Sequence, residues 1–280
     1  MGVQHHHAHL AAALAEHGEM GTAVGAIFDG TGHGTDGAVW GGELLAGGLG
    51  GHSRLGALRD VRLPGGERAI REPWRMACAW LLEASGPEAR PPRALAAMVA
   101  PEVWDRVRRI AQAGIACPMT SSVGRLFDAV AAICGVRAEV NYEGQAAIEL
   151  EAACDPSERG RYPMPVLEES GRLVIDPRET ISAVASDADA GVAVGIVAAR
   201  FHAALAAATV EAVTRLAEDA GTELAVLSGG VFNNRRLVES TEAGLARAGL
   251  RVLIPQRLPP GDGGISYGQA AVAAWRQRHG

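Results

Sequence analysis

Apolar residues recur along this chain in two periods, and their alternation predicts an α/β protein. Residues 5–17 read His-His-His-Ala-His-Leu-Ala-Ala-Ala-Leu-Ala-Glu-His, a helical stretch closed by Gly18. Residues 22–28 form an apolar strand ending at Asp29; a glycine- and threonine-rich turn covers 30–37, and a second strand leaves it over 38–45. Residues 46–63 are rich in glycine and read as a further extended segment. Helices are predicted over 68–83, with Trp74, Met76 and Trp80 on one apolar stripe, and over 101–113 after a proline-rich link. Another follows over 123–134 behind the capping run Thr120-Ser121-Ser122, and another over 143–153. Two short strands bracket Glu169-Ser170-Gly171, and a long apolar helical stretch over 191–217 leaves open a break within it.

The C-terminal third has the most regular rhythm. A strand over 223–227, the turn Ser228-Gly229-Gly230, a helix over 233–248, a strand over 251–254, a Pro/Gly loop and a last helix over 264–277 make a β/α unit with a parallel strand pair. No internal repeat is visible.

Composition narrows the chemistry. The 280 residues are 48% hydrophobic, enough for a buried core of one or two units. Apolar segments are interrupted by charge, so no membrane-crossing helix is expected, and the N-terminus lacks a secretory pattern. The formal net charge is −6 without a dense arginine cluster, which argues against a nucleic-acid partner. The chain has no lysine, which excludes a Walker-type phosphate lysine and Schiff-base chemistry. Cys78, Cys117, Cys134 and Cys154 form no C-x-x-C pair and read as reduced, mostly buried thiols of a cytoplasmic protein.

Four stretches carry candidate chemistry. His5 and His9 lie one helical turn apart on one face, the spacing with which two imidazoles hold one metal ion. A purification tag or a surface helix is the alternative, but Gln4 precedes the run, Ala8 breaks it and the helix continues without a linker. The turn after Asp29 could cradle an anion on Gly30, Thr31 and Gly32 through consecutive N–H groups, or be an ordinary hairpin turn. Gly229-Gly230 opens a helix after a strand, a favourable place for a nucleotide and equally a tight packing turn. Asp262 stands in a glycine-rich loop before the last helix, as a cap or as a carboxylate ligand. Two His and two Asp would suit Fe, Zn or Mn rather than a thiolate zinc site.

Six stretches occur in this order: Val3-Gln-His-His-His-Ala-His9; Asp29-Gly-Thr-Gly-His-Gly-Thr-Asp-Gly37; Pro64-Gly-Gly66 with Ala69-Ile-Arg-Glu-Pro-Trp-Arg-Met76; Tyr142-Glu-Gly-Gln-Ala-Ala-Ile-Glu-Leu-Glu151; Ser228-Gly-Gly-Val-Phe232; and Gly261-Asp-Gly-Gly-Ile-Ser266. Together they resemble the C-terminal part of the HypF carbamoyltransferases of nickel–iron hydrogenase maturation, from residue 3 to about 275. The resemblance implies an actin-like (ASKHA) two-lobed fold, with carbamoyl-adenylate between the lobes beside a divalent metal, Fe or Zn. It implies metal ligation by His5, His9, Asp29 and Asp262. AMP would be held by Gly30, Thr31, Gly32, Gly229 and Gly230, with an adenosine contact at Asn234, a ribose contact at Asp128 and a backbone contact at Gly144. The acceptor it implies is the C-terminal cysteine thiol of HypE, whose thiocarbamate becomes the source of the hydrogenase cyanide ligand.

Members of that family also carry an acylphosphatase-like domain, a zinc-finger pair and an adenylate-forming domain, none of which is visible in this sequence. The expectation is therefore an N-terminally truncated chain that works with an N-terminal HypF portion in cis or in trans. Residues 1–48 would be the remainder of a first lobe whose sheet lacks strands, 49–115 a helical connection, and 116–280 the second lobe. Such a chain is expected to be of low stability alone, with an unpaired sheet edge. The competing readings are an inactive remnant or HypE-docking module, an O-carbamoyltransferase, and a tRNA threonylcarbamoyl transferase relative.

Overall fold

A computed structural model of the chain describes residues 2–279. In chain order the elements begin with α1 (His5–Glu16), β1 (Ala23–His33), β2 (Val39–Gly48), β3 (Gly51–Leu58) and β4 (Val61–Arg62). Then come α2 (Arg68–Arg71), α3 (Trp74–Ser85), α4 (Arg93–Ala96), α5 (Pro101–Ala113), β5 (Met119–Thr120), α6 (Val123–Ile133) and α7 (Gln145–Ala152). The last part holds β6 (Val166–Glu169), β7 (Arg172–Ile175), α8 (Arg178–Asp189), α9 (Val194–Ala220), β8 (Leu224–Ser228), α10 (Arg235–Arg247), β9 (Arg251–Leu253) and α11 (Ile265–His279).

The chain divides into two compact units. Residues 1–58, 166–175 and 206–280 form the first; residues 59–165 and 176–205 form the second. Residues 1–48 thus lie wholly in the first unit, whereas 49–115 and 116–280 are each divided between the two.

The first unit is built on a mixed sheet of order β6-β7-β3-β2-β1-β8-β9. β1, β2 and β3 run antiparallel, while β8 lies parallel to β1 and β9 parallel to β8. β1 is an interior strand between β2 and β8, and its unbroken apolar run Ala23 to Phe28 is buried throughout, so both of its faces are covered. The strands that flank β1 on its parallel side come from the far end of the chain. Beneath the sheet Leu10, Leu14, Ile27, Leu45 and Val226 are fully buried, and β6 and β9 stand at its two edges.

Helix α1 is buried from His6 to Leu14, too fully for an amphipathic surface helix. Its alanines let α11 approach closely. A Cβ added at Gly268 would stand 1.9 Å from the Ala8 carbonyl oxygen, so only glycine permits this crossing.

The second unit is largely helical, around the fully buried Trp80 of α3 and the wholly buried helix α6. Phe127 and Phe201 pack edge to face at 5.0 Å between ring centroids. The helix predicted over 68–83 is two helices, because Pro73 lacks an N–H and restricts Glu72 before it. Helix α8 was not visible as a period; its Ser, Thr and Asp residues have weak helical propensity, and burial of Thr180, Ile181 and Val184 supplies the packing instead. The stretch predicted over 191–217 is one unbroken helix, α9. It is long and apolar enough to cross a membrane by length and composition alone, contrary to the reading of interrupted apolar segments. Yet 67% of its most apolar window is buried inside the protein, the situation of a core helix.

Gly268→Ala is expected to lower unfolding free energy by about 1–3 kcal/mol or more, because the new Cβ forces α1 and α11 apart. Gly51→Ala, whose Cβ would meet open space, should stay within about 0.5 kcal/mol of wild type. Urea melts of the two variants check this.

Candidate metal centre

Gln4 precedes α1 with extended backbone, and its side-chain oxygen accepts from the His7 N–H at 2.8 Å. That cap fixes where the helix starts and therefore which histidines share a face. His5 and His9, four residues apart, place their rings 4.9 Å apart between centroids. His7 points elsewhere: its Nε2 donates to the Gly48 carbonyl at 2.8 Å, and its ring lies 4.6 Å from His52. His6 is buried against Trp40, 5.8 Å away, and no hydrogen-bond partner meets its Nε2 among the described residues. Burial, then the neighbouring His5 and His9, push its pKa down to about 3, so His6 stays neutral.

Asp29 reaches this pair because β1 bulges. Between the pairs Phe28↔Gly42 and Gly32↔Trp40, β1 inserts Asp29, Gly30 and Thr31 where β2 has only Gly41. A bulge re-aims side chains, and here it turns the carboxylate toward α1. Gly30, Thr31 and Gly32 are accordingly part of β1 rather than a hairpin tip; the tip lies at Gly34 to Gly37, where Gly37 has a φ of 82°. None of the three has positive φ, so they do not form the alternating nest expected from the glycines. The glycine at 32 has a different cause: a Cβ there would lie 2.5 Å from the His6 ring and 2.7 Å from the His5 ring.

The network behind the bulge was not read from the sequence. Asp36 accepts from Trp40 Nε1 at 2.9 Å and pairs with Arg54 at 3.0 Å, while the Arg54 guanidinium lies 4.3 Å over the Trp40 ring. Arg54 also pairs with Glu43, a fully buried carboxylate that accepts from the Gly41 and Gly42 N–H groups opposite the bulge. The only signal in the sequence is an acidic residue closing Trp40-Gly-Gly-Glu43 inside an apolar strand.

The turn after β8 closes the site from another side. Gly229 has a φ of 98°, and a Cβ there would meet the Phe28 carbonyl oxygen at 2.2 Å, so a side chain is excluded twice. That approach lets the Gly230 N–H donate to Asp29 Oδ1 at 3.1 Å. Asn234 sits just beyond, where its side-chain oxygen caps α10 by accepting from the Leu237 N–H at 2.8 Å.

With Oδ1 so engaged, Asp29 Oδ2 faces both imidazoles: 3.0 Å to His5 Nε2 and 3.2 Å to His9 Nε2. Asp262 completes the group, its Oδ1 3.6 Å from each of the same nitrogens. One ligand atom from each of His5, His9, Asp29 and Asp262 lies within 4.8 Å of the others. A first-row divalent ion with bonds of about 2.0–2.2 Å separates its neighbouring ligand atoms by roughly 3.0–3.5 Å, so the two nitrogens and two oxygens fit one ion. The side-chain exposures are 1% for His9 and 72% for Asp262, so the group is sealed on one side and open on the other.

Without an ion, charge is shared within the group. Burial opposes ionisation of Asp29, but hydrogen bonds from His5 and His9, the charge on His9 and the Gly30 N–H outweigh it and hold the carboxyl far below its ordinary range. Burial likewise opposes charge on His9, yet the carboxylates of Asp262 and Asp29 lift it to about 9. Asp128 and Gly144 belong to the second unit. Asp128 is buried, 2.8 Å from Arg125 Nε, and burial raises its pKa to about 6 against the opposing pull of Arg125. Gly144, with a φ of 82°, precedes α7.

Residues 25–269 match the family described as the carbamoyltransferase, Kae1-like domain, second subdomain. The chain belongs to the HypF carbamoyltransferase family. It is 40% identical over 306 residues to Carbamoyltransferase HypF2 of Cupriavidus necator, covering 99% of this chain and 36% of that protein. A Carbamoyltransferase HypF homolog of the same organism is 42% identical over 287 residues, covering 98% of this chain and 71% of the relative. The crystal structure of full-length HypF in the phosphate- and nucleotide-bound form matches with a TM-score of 0.93 and 36% identity, over 100% of this chain and 36% of that one. HypF of T. kodakarensis matches with a TM-score of 0.87 and 28% identity, over 99% and 36%. The chain thus spans about a third of these HypF proteins and 71% of the shorter homolog. Within the residues matched to the family lie Asp29 and Asp262; His5 and His9 precede them.

The metal-free chain is expected to lose stability as pH rises from 6.5 through 9. His9 binds its proton more tightly folded than unfolded, so its contribution is fully present below pH 6.5 and gone above 9. The groups that face it are His5, His6, Asp29 and Asp262. Asp29 acts oppositely, stabilising above its unfolded pKa and failing only in strong acid. Thermal melts across that alkaline window check the sign, and His9→Ala should flatten the decline.

Proposed function

We propose that this chain performs the carbamoyl-transfer step of HypF: transfer from carbamoyl-adenylate to the C-terminal cysteine thiol of HypE, in synthesis of the hydrogenase cyanide ligand. The observation that carries the reading is the convergence of His5, His9, Asp29 and Asp262 on one point, in a chain of a carbamoyltransferase family. The four side chains would hold one Fe or Zn ion. Bound there, such an ion supplies Lewis acidity toward a carbonyl or phosphate oxygen.

The protein's own residues supply the rest. Gly230 N–H and the bulge at Gly30 fix the Asp29 carboxylate, so the ligand set is preorganised rather than assembled at the moment of reaction. Gly30, Thr31 and Gly32 of the bulge and Gly229 and Gly230 of the turn that opens toward α10 lie beside the group and are assigned the AMP phosphate contacts. Asn234, next in the same turn, is assigned the adenosine contact. The exposed side at Asp262 leaves room for an incoming thiolate. In the transfer, a C–S bond forms at the carbamoyl carbon, the C–O bond to phosphate breaks, AMP leaves with the electron pair, and the thiol proton goes to solvent. The adenylate itself is supplied by an adenylate-forming HypF portion in cis or in trans.

The test mixes the metal-loaded chain with that portion, ATP, carbamoyl phosphate and HypE, and follows the acceptor cysteine by mass spectrometry. Carbamoylated cysteine that requires this chain supports the reading. Asp29→Asn should lower the rate by about 100-fold or more. A chain that docks HypE yet takes up no metal and yields no carbamoyl-cysteine favours the non-catalytic docking module instead.

A further inference from the structure

Of the four grouped residues, Asp262 is the least constrained. It is exposed and lies in a 3-10 turn at the end of a loop that runs from residue 254. The other three sit on α1 or in β1, where packing fixes them. Something else must set where Asp262 stands.

The far end of α1 holds that loop. The Glu16 carboxylate accepts three successive backbone N–H groups: Oε1 from Gln256 at 2.9 Å and Arg257 at 2.6 Å, Oε2 from Leu258 at 3.3 Å. Beside it, His17 Nε2 donates to the Ile254 carbonyl at 3.0 Å. Further along, the Gly229 N–H donates to the Pro260 carbonyl at 2.8 Å. These three backbone donors would otherwise need water, and a single carboxylate takes them all.

The lengths match closely. From Glu16 back to His9 is seven helical residues, about 10 Å of helix axis. From Leu258 to Asp262 is four residues, at most about 14 Å when fully extended. A loop pinned at Glu16 therefore has little slack in bringing its carboxylate back alongside His5 and His9.

We propose that Glu16 is a positioning residue of the metal centre: by pinning the Gln256 to Leu258 amides to the helix that carries His5 and His9, it sets the distance of Asp262 from both imidazoles. One helix thus supplies two ligands and aims a third. The inference rests on the metal reading above. Burial opposes ionisation of Glu16, but the three N–H groups lower its pKa, so it remains a carboxylate throughout the working range.

The experiment measures Zn affinity of the full chain by competition with a chromogenic chelator, for wild type, Glu16→Ala, Glu16→Gln, Asp262→Ala and the double variant Glu16→Ala with Asp262→Ala. Glu16→Gln keeps the volume and helical propensity of the side chain, so it serves even where the alanine variant folds poorly. Glu19→Ala, from the same end of the helix but paired with Arg251, is the control. The expected result is a loss of about 10–100-fold for Glu16→Ala, as for other supports of metal ligands, and a smaller loss for Glu16→Gln, whose amide oxygen still accepts from Gln256 and Arg257 while its NH2 cannot accept from Leu258. Glu19→Ala should be unchanged, and Glu16→Ala should cost nothing further once Asp262 is gone. Co-loaded Glu16→Ala should show the visible spectrum of Co-loaded Asp262→Ala. Wild-type affinity in the Glu16 variants, or an undiminished Glu16 effect in the Asp262→Ala background, overturns this inference alone. A wild-type chain that binds no Zn or Co overturns the metal reading and this inference with it.

Discussion

One buried carboxylate organises the first unit. Asp29 presents one oxygen to Gly230 and the other to His5 and His9, so a strand, a turn and a helix far apart in sequence are held to a common point. A carboxylate so placed would be unfavourable alone, since burial disfavours its charge. It is tolerated because hydrogen bonds and a protonated imidazole surround it. The same arrangement that satisfies Asp29 without an ion leaves two nitrogens and an oxygen aimed inward, which is what a divalent cation requires. A metal would displace a proton from His9 rather than rebuild the site.

Close backbone approach makes this convergence possible. Gly268 lets α11 press on α1, Gly229 lets the β8 turn press on β1, and Gly32 makes room for the His5 and His6 rings. Each removes a Cβ that would stand closer than 3 Å to a neighbour. The glycines that look like a phosphate loop in the sequence are, in the structure, first of all packing residues around the histidine helix. Both roles are compatible, because backbone free of side chains is also backbone that a nucleotide phosphate can reach.

Much of this was legible in the sequence because spacing and strand ends have direct physical meaning. The four-residue interval of His5 and His9, Asp29 at the end of an apolar run and Asp262 before a helix each named its residue, and the resemblance to HypF joined them. The bulge was not legible: Gly30 to Gly32 look like a turn, and only the register against β2 shows that the strand resumes. The sheet order was not legible for a related reason, since β8 pairs with β1 from about two hundred residues away and β9 then pairs with β8. Helix α8 was missed because tertiary burial, not periodicity, stabilises it. Glu16 gave no signal at all; a glutamate at a helix end is ordinary until the loop that it holds is seen.

The most direct measurement of the central claim is anomalous diffraction from crystals of the chain grown with Zn, with data on both sides of the Zn absorption edge. The account predicts one strong peak at full occupancy, bonded to Nε2 of His5 and His9 and to carboxylate oxygens of Asp29 and Asp262. A map without a peak at that point, or with the ion held by other residues, would contradict it.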